Sequence, residues 1–265
     1  MCRFLAYRGD PIFLSDMVCA PAHSLIHQSM HADEGKTVTN GDGFGLGWYG
    51  EREEPGLYRE IRPAWSDENL RSLCSQVRSR LFFAHVRAST GTSTTRANCH
   101  PFAHGRQLFM HNGQVGDYGL IKRRIEALIP DALYAHRQGT GDTEALFLAA
   151  LAEGLAEDPV GAMARTLGRV LGLMAGAGTR QPLRFAAAQS DGTTLTCFRW
   201  SSDSRPPSLY WRQGRCGGVM VVSEPVDERG AGWQLIPANA VLVAKPDAAV
   251  EIRPFSVEAE KALAA

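Results

Sequence analysis

Alternation between apolar and polar positions marks the first elements of the chain. Residues 3–8 (RFLAYR), 44–49 (FGLGWY) and 81–87 (LFFAHVR) combine this period of two with aromatic and branched side chains, a pattern typical of strands. Between the first two segments, residues 15–30 carry apolar side chains at the spacing of one helix face. The beginning of the chain is therefore predicted to mix strands with helix.

Helical periodicity dominates the middle of the chain. A helix is predicted over residues 66–78, with Ser66 as its N-cap and acidic residues in its first turn. Another is predicted over residues 118–129, ending before a proline. Two further segments are apolar on nearly every face, residues 142–155 and 160–175. These two helices are expected to lie centrally or to pack on both sides.

Strand patterns return after the helices. Residues 184–200 form two alternating runs around Asp191-Gly192, a pair that favours a two-residue hairpin turn. Short strands are predicted near residues 208–213, 218–223, 233–236, 240–244 and 249–253. Hairpins, rather than a regular βαβ alternation, indicate an α+β layered sandwich. Neither a long Ser/Gly/Pro-rich linker nor an internal repeat divides the sequence, so residues 1–265 are predicted to be a single domain.

Composition narrows the classes of protein that fit this pattern. Of the 265 residues, 44% are hydrophobic and 21% charged, which is typical of a globular protein. The 28 Lys and Arg residues balance 28 Asp and Glu, so no global field attracts nucleic acid or an anionic membrane. Neither a signal peptide nor an apolar run long enough for a membrane span is present. We expect a cytoplasmic protein whose partner is a small molecule.

Cys2 stands directly after the initiator methionine. If Met1 is removed, one residue carries both a thiol, with a pKa of about 8.5, and an α-amine, with a pKa of about 7.7–8.0. The amine can accept the thiol proton, so such a residue is nucleophile and base together. Retention of Met1 would block this arrangement. The alternative is an idle thiol, like the other five cysteines, which show no CxxC spacing.

Other polar clusters interrupt the strand patterns, and each alone has an ordinary explanation. They are residues 40–50 (NGDGFGLGWYG), 85–91 (HVRASTG), 98–102 (NCHPF), 111–113 (HNG) and 140–144 (TGDTE). Asn112-Gly113 is typical of a tight turn, Arg87 of a surface ion pair, and Asp142 of a helix N-terminus. The glycines of the first cluster lack the GK[ST] ending of a phosphate loop.

Taken together and in this order, the clusters resemble the glutaminase domain of the class II glutamine amidotransferases, a family of N-terminal-nucleophile hydrolases. The resemblance rests on Met-Cys-Arg at the start, on the motif of residues 40–49, and on the later clusters, and it spans roughly residues 2–150. It is closest to short stand-alone members, including those that cleave a γ-glutamyl amide in ergothioneine synthesis. The resemblance implies a four-layer αββα sandwich.

The resemblance also implies a set of site residues. The implied catalytic residues are the nucleophile Cys2 and the oxyanion-binding pair Asn112 and Gly113. The implied substrate-binding residues are Arg87 for an α-carboxylate, Asp142 for an α-ammonium, and Thr90 and His100 for the pocket around them. The sequence departs from the larger relatives where Ala88-Ser89 replaces Trp-Ala and Gly91 replaces a histidine, so the pocket is expected to close differently.

The expected activity is hydrolysis of glutamine or a γ-glutamyl amide through a thioester, with no cofactor and no metal. His23, His27 and His31 recur every four residues, but the HExxH glutamate is absent, so they are not predicted to bind metal. Two alternatives stay open. One is a glutaminase subunit that supplies ammonia to a separate synthase partner, and the other is a non-catalytic protein that binds a γ-glutamyl ligand or acts as a scaffold. Homo-oligomers are compatible with all three.

Overall fold

The computed structural model describes residues 2–35, 37–89, 91–214, 217–227 and 232–260. The strands in these ranges are β1 (Arg3–Phe13), β2 (Phe44–Trp48), β3 (Gly56–Glu60), β4 (Arg78–Val86), β5 (Phe102–His104), β6 (Gln107–Gln114), β7 (Arg184–Ser190), β8 (Leu195–Ser201), β9 (Tyr210–Gln213), β10 (Val219–Val222), β11 (Gln234–Leu235), β12 (Ala240–Ala244) and β13 (Glu251–Pro254). The helices are α1 (Ser15–Val18), α2 (Leu25–Met30), α3 (Glu68–Gln76), α4 (Tyr118–Glu126), α5 (Asp131–Tyr134), α6 (Asp142–Ala152) and α7 (Pro159–Gly176). None of the helices in the described ranges has the length and apolar character needed to span a membrane.

The strands form two antiparallel sheets. The first sheet has the order β11-β9-β10-β1-β4-β2-β3, and the second has the order β13-β12-β8-β7-β6-β5. Each strand pairs antiparallel with its neighbours. The predicted hairpin-rich α+β architecture is confirmed.

Three apolar clusters separate four layers. Strand β1 shows the division, because Phe4 and Ala6 face the second sheet whereas Leu5 and Tyr7 face α1–α3. The second sheet likewise packs its outer face against α4, α6 and α7. Each fully buried large apolar side chain contributes roughly 1.5–3 kcal/mol to folding. The layers therefore run helix, sheet, sheet, helix, which is the predicted αββα sandwich.

Glycines alternate along the face of β2 that looks toward the second sheet. A Cβ on Gly45 would collide with the main-chain oxygen of His100, and a Cβ on Gly47 would lie 2.7 Å from Cγ of Pro101. The residues between these glycines belong to the cluster under the helices. Because these glycines have no Cβ, the backbone of segment 99–101 can lie directly against β2.

Two predictions for the first helical layer are wrong in detail. Residues 15–30 form two helices, α1 and α2, because Pro21 interrupts the pattern and Ser24 starts a new helix by accepting the His27 N–H at 3.3 Å. The N-cap of α3 is Asp67, which accepts the Leu70 N–H at 2.7 Å. The predicted cap, Ser66, instead ends a short 3₁₀ turn.

The predicted hairpin between β7 and β8 is confirmed, but its loop is longer than the two residues expected. Residues 191–194 connect the strands. The carboxylate of Asp191 accepts the main-chain N–H groups of Thr193 and Thr194 at 2.8 and 2.7 Å, and Gly192 has a φ of +92°. An Asx-type turn therefore replaces the expected two-residue turn.

Strands β3, β5 and β6 have no counterpart in the prediction, and β6 matters most. The interpretation of Asn112-Gly113 as a tight turn is wrong, since these residues pair with Ala186 and Phe185 inside the ladder between β6 and β7. The local preference of the pair for turns is overridden by pairing with β7. This placement buries Asn112 within the second sheet.

Candidate active site

Cys2 lies at the N-terminal end of β1, in the first sheet. It directly precedes β1, in which Arg3 pairs with Val86 of β4, so the position of Cys2 is next to Arg87. Continuing the alternation of Phe4 and Ala6 places Cys2 on the face toward the second sheet. Its Sγ donates a hydrogen bond to the main-chain oxygen of Ala88 at 3.6 Å.

The half-buried Cys2 thiol needs a base. Burial raises the pKa of the Cys2 thiol above its ordinary value, while the guanidinium groups of Arg87 and Arg3 act in the opposite direction. Its hydrogen bond goes to a carbonyl oxygen, which cannot accept a proton as a base does. A nucleophilic role for this thiol therefore requires another group to take the proton.

Arg87 follows the last residue of β4 and is only 4% exposed. Its guanidinium donates to Thr92 Oγ1 at 2.6 Å, to Ser89 Oγ at 3.2 Å and to the main-chain oxygen of Asp42 at 3.4 Å. It forms no ion pair with any carboxylate in the described part of the chain. Burying a cation without an anion is costly, so this geometry is typical of a site for an anionic ligand.

The loop after Arg87 is shaped by short hydrogen bonds. Ser89 donates its N–H to the carboxylate of Asp42 at 2.7 Å and its hydroxyl to the main-chain oxygen of Thr92 at 2.5 Å. Gly91 has a φ of +83°, a conformation that glycine adopts freely. Thr90 lies outside the described residues, so its role stays a prediction.

Asn112 sits in the interior of β6 and is 1% exposed. Its side chain lies on the same face as Met110, which packs between the sheets. Neither its amide nitrogen nor its amide oxygen has a hydrogen-bond partner among the described residues. At the next position, Gly113, any Cβ would collide with the main-chain oxygen of Arg184. The two residues thus combine an unpaired buried donor with a backbone that only glycine permits.

Asp142 is the first residue of α6. Its carboxylate accepts the main-chain N–H of Val115 at 2.9 Å, which ties the helix to the end of β6. The neighbouring Thr143 hydroxyl lies 3.0 Å from Nδ1 of His111. Asp142 therefore lies near the Asn112-Gly113 segment.

Asn98 joins the two halves of the site, a role that the sequence analysis missed. Its Nδ2 donates to the main-chain oxygen of Ser93 at 2.9 Å, and its Oδ1 accepts the N–H groups of Thr140 and Gly141 at 2.7 and 3.3 Å. The loop that holds Arg87 is thereby linked to the start of α6. The sequence analysis marked residues 98–102 as a polar cluster, so Asn98 could have been considered, but only His100 was singled out.

His100 is buried, and its ring contacts the ring of His85 in a tilted arrangement with 4.1 Å between the ring centroids. The sequence analysis did not single out His85. Burial lowers the pKa of His85 to about 3 and that of His100 well below the usual range. Burial lowers the pKa of His111 too, against the opposing effect of Asp142. All three imidazoles are therefore neutral at physiological pH.

A second polar cluster surrounds Glu224 and includes Arg3, the residue after Cys2. Glu224 is buried and pairs with Arg3 at 3.8 Å and with His23 Nε2 at 2.5 Å. Its carboxylate also accepts the N–H groups of Asp33 and Glu34. His23, Asp33 and Glu224 offer possible metal ligand atoms within 4.8 Å of one another. The Arg3 cation and two backbone donors already occupy the Glu224 carboxylate, which disfavours a cation there.

The three histidines that recur every four residues, which were not predicted to bind metal, do not lie on one helix. His23 precedes α2, His27 lies within it and His31 follows its last residue. The sequence spacing of four therefore does not correspond to a set of ligands on one helix.

Comparison with known proteins places this geometry in context. The family model described as glutamine amidotransferases class-II matches residues 12–203, so Cys2 lies before the matched region. The chain is 32% identical over 296 residues to the probable glutamine amidotransferase DUG3 of Saccharomyces cerevisiae, covering 92% of this chain and 82% of that protein. It is 29% identical to the gamma-glutamyl-hercynylcysteine sulfoxide hydrolase of Mycolicibacterium smegmatis, covering 96% of this chain and all of that protein.

Solved structures show the same architecture. A glutamine aminotransferase class-II domain protein from Silicibacter pomeroyi is 41% identical and superimposes with a TM-score of 0.77, covering 96% of this chain and 100% of that one. Glutamine phosphoribosylpyrophosphate amidotransferase from B. subtilis is 14% identical with a TM-score of 0.64, covering 97% of this chain and 50% of that one. At 14% identity, the latter likeness concerns the fold alone.

Proposed function

The chain belongs to the class II glutamine amidotransferases and is an amide-bond hydrolase acting on a small molecule, and on that premise we propose that it hydrolyses a γ-glutamyl amide with Cys2 as the nucleophile. One observation carries the proposal. Cys2 and Arg87 are neighbours on one sheet, and Asn112 lies on the facing side of the other. In the described chain Arg87 has no carboxylate partner, and the Asn112 amide has no hydrogen-bond partner.

The reaction proceeds in two steps. With Met1 removed, the α-amine of Cys2 takes the thiol proton, and the sulfur attacks the γ-carbonyl carbon to form a C–S bond. The C–N bond then breaks, the departing nitrogen takes the proton from the α-ammonium, and a γ-glutamyl thioester remains. Water adds to the thioester, which releases glutamate and restores the thiol. No cofactor is needed to balance either step.

Asn112 and Gly113 supply the oxyanion donors in this proposal. The tetrahedral intermediate of each step carries a negative oxygen, which is stabilised by donors already in place. The unpaired Nδ2 of Asn112 is such a donor, and the main-chain N–H of Gly113 is the second. A buried donor without a partner costs roughly 1–3 kcal/mol, and this cost is recovered when the oxyanion forms.

Arg87 and Asp142 select the glutamyl group. The Arg87 fork binds the α-carboxylate through charge-assisted hydrogen bonds, and Asp142 pairs with the α-ammonium while its other contact holds Val115. His100 supports the wall of this pocket, and Thr90 is predicted to do the same. A substrate that lacks either α-group would leave the Arg87 cation or the Asp142 carboxylate unpaired, so simple amides are excluded.

The small residues after Arg87 favour a substituted amide over free glutamine. Ala88 and Gly91 stand where larger relatives carry Trp and His, so less side-chain volume borders the loop after Arg87. We infer that the smaller side chains leave room for a substituent on the γ-nitrogen, in keeping with a relative named as a γ-glutamyl hydrolase. The ammonia-supplying subunit and the non-catalytic binding protein are not favoured by the comparisons. Synthase partners, homo-oligomers, a cytoplasmic location and a single domain over residues 1–265 stay predictions.

The proposal is tested by glutamate release from γ-glutamyl-cysteine, γ-glutamyl-anilide and glutamine at equal concentrations. We expect a substituted amide to exceed glutamine in kcat/KM by at least about tenfold, and Cys2→Ala to remove the activity. Cys19→Ala serves as the matched control, because Cys19 is a half-buried thiol packed in the outer helical layer. Full glutamate release by Cys2→Ala would overturn the proposal.

A further inference from the structure

Strand β1 loses a ladder partner on one side just before it reaches the nucleophile. Its pairing with β4 extends to Arg3, but its pairing with β10 ends at Leu5 among the described residues. With Met1 removed, Cys2 is the end of the chain, and chain ends are poorly ordered unless they are tied down. The hydrogen bond from Cys2 Sγ to the main-chain oxygen of Ala88 is 3.6 Å long, and a thiol is a weak donor. A nucleophile at this position therefore needs a further anchor.

Side-chain hydrogen bonds continue the contact between the strands beyond Leu5. Ser223 follows the last residue of β10 and donates its N–H to the main-chain oxygen of Phe4 at 3.0 Å. The Ser223 hydroxyl accepts the Phe4 N–H at 3.1 Å, in the role that a main-chain oxygen has in a regular antiparallel pair. The Ser223 main-chain oxygen accepts instead from the Ser208 hydroxyl at 2.8 Å and from Nη1 of Arg3 at 3.4 Å. The Arg3 side chain thus ties the end of β1 to the segment that leaves β10.

The guanidinium of Arg3 is itself held in place on several sides. Arg3 is fully buried, its Nη2 donates to the main-chain oxygen of Glu34 at 3.4 Å, and its Nη1 lies 3.8 Å from the Glu224 carboxylate. That carboxylate also accepts the N–H groups of Asp33 and Glu34 at 2.9 and 3.0 Å. A buried ion pair contributes little net stability compared with apolar residues of the same size. Its occurrence at the residue next to the nucleophile points to a role beyond stability.

We propose that Arg3 is a positioning residue, whose guanidinium anchors the end of β1 and so fixes the sulfur and the α-amine of Cys2 for attack. This inference rests on the proposed function, because Arg3 acts through Cys2. The alternation along β1 places the Arg3 side chain on the face away from Cys2, so it touches neither the substrate nor the reacting atoms. A displacement of about 1 Å at a reacting group lowers the rate by about a hundredfold.

The main test removes the guanidinium without leaving a buried charge unpaired. Arg3→Met alone leaves the Glu224 carboxylate without its cation, which destabilises the fold. The double variant Arg3→Met, Glu224→Gln has neither charge and keeps an acceptor for the two N–H groups, so it should fold. We expect its kcat to be lower by about 10- to 100-fold and its KM to change by less than about threefold. A folded double variant with the kcat of the unaltered protein would reduce Arg3 to a structural role and overturn the inference.

Arg3→Lys separates position from charge. Lysine keeps the positive charge but lacks the planar fork that reaches two main-chain oxygens, so kcat should still fall by at least about fivefold. The matched control is Arg212→Met, which removes a half-buried guanidinium of the same sheet that pairs with Asp227 at 2.9 Å, and its kcat should stay within about twofold. Full activity of Arg3→Lys, or an equal loss in Arg212→Met, would overturn the inference.

The readout is kcat per mole of chain that lacks Met1, counted by intact mass, because residue 3 adjoins the site of Met1 removal. Urea unfolding curves give the stability of each variant beside its kcat. The proposed function fails separately if Cys2→Ala releases glutamate at the full rate. If Cys2→Ala is inactive while the double variant keeps its full kcat, only the role of Arg3 is refuted, so the two failures are distinguishable.

Discussion

Asn112 and Arg87 show how much of the site depends on single side chains. Both are buried, and one lacks any hydrogen-bond partner while the other lacks an anion among the described residues. Buried polar groups are nearly always paired in folded proteins. Asn112 is an exception, whereas Arg87 is hydrogen-bonded but has no carboxylate partner in the described chain. In the proposed reaction a γ-glutamyl group would bring an oxyanion to the first and a carboxylate to the second.

Removing the Asn112 donor should abolish most of the catalysis but little of the binding. We expect Asn112→Ala to lower kcat by about 10²- to 10³-fold with KM changed by less than about threefold, since the donor acts on the transition state. Steady-state glutamate release measures both constants. Gln114→Ala, two residues further along β6, is the matched control and should change kcat by less than about twofold. Equal activity of the two variants would remove Asn112 from the mechanism.

Substituting Arg87 should have the opposite signature. Arg87→Lys keeps the charge but loses the planar fork, and one charge-assisted hydrogen bond is worth about 1.5–3 kcal/mol. We therefore expect KM to rise about 10- to 100-fold while kcat stays within about fivefold. The control is Arg96→Lys, an exposed arginine paired with Glu60 at 2.6 Å, which should leave KM unchanged. An unchanged KM in Arg87→Lys would mean that the α-carboxylate binds elsewhere.

The residues of the proposed site could be named from the sequence, but their surroundings could not. Cys2, Arg87, Asn112 and Asp142 were predicted from the resemblance of the motifs and their order, and their roles stay predictions. Asn98 was missed because its role depends on a contact with Thr140, 42 residues away in sequence. Such pairing depends on the packing of the two sheets, which a single sequence does not specify.

At the scale of elements, β2 and β6 determine the shape of the site. Strand β2 was predicted from its alternation of apolar and small residues. The structural role of its glycines became clear only from the structure, in which segment 99–101 packs directly against them. Strand β6 (QLFMHNGQ) was missed because its apolar run is short and Asn-Gly usually marks a turn. Pairing of Asn112 and Gly113 with β7 overrides that preference.

The glycine face of β2 gives a prediction at this scale. Gly45→Ala places a methyl group against the main-chain oxygen of His100, so segment 99–101 must move. Overpacking of this kind costs about 1–3 kcal/mol in the free energy of unfolding, and kcat should fall because the same segment carries His100. Gly50→Ala is the matched control, since a Cβ there meets nothing within 4 Å. The measurements are denaturant unfolding and kcat for both variants. Equal free energies of unfolding for Gly45→Ala and Gly50→Ala would refute the expectation.

For the whole molecule, the four-layer architecture was predictable because it depends on the order and type of the elements. Strands, then apolar helices, then hairpins suffice to indicate an α+β sandwich. The register was not predictable, and register is what brings Cys2 opposite Arg87 and places Asn112 on the face between the sheets. The fold class thus follows from local patterns, whereas the site follows from long-range pairing.

Three buried neutral histidines make the stability of the whole molecule depend on pH. The pKa values of His85, His100 and His111 are all lowered by burial, to about 3 for His85. In the unfolded chain each has a pKa of about 6.5, so unfolding takes up protons below that pH. The free energy of unfolding should therefore fall as the pH drops from 6.5, by about 1.4 kcal/mol per pH unit for each such histidine.

Urea unfolding between pH 7.5 and 5.0 measures this slope. At pH 5.0 the loss from His85 alone is about 2 kcal/mol. His85→Phe should have a slope smaller by about one proton than that of the unaltered protein. Identical slopes for the two proteins would contradict the neutral, buried state of His85.

The central claim, that the sulfur of Cys2 attacks the substrate beside a free α-amine, is tested most directly by intact-mass analysis of active protein before and after reaction with diazo-oxo-norleucine, an electrophilic glutamine analogue. We expect a mass lacking Met1, one label per chain, loss of activity in proportion to labelling, and a digest that places the label on Cys2. Active protein that retains Met1, or a single inactivating label on another residue, would contradict it.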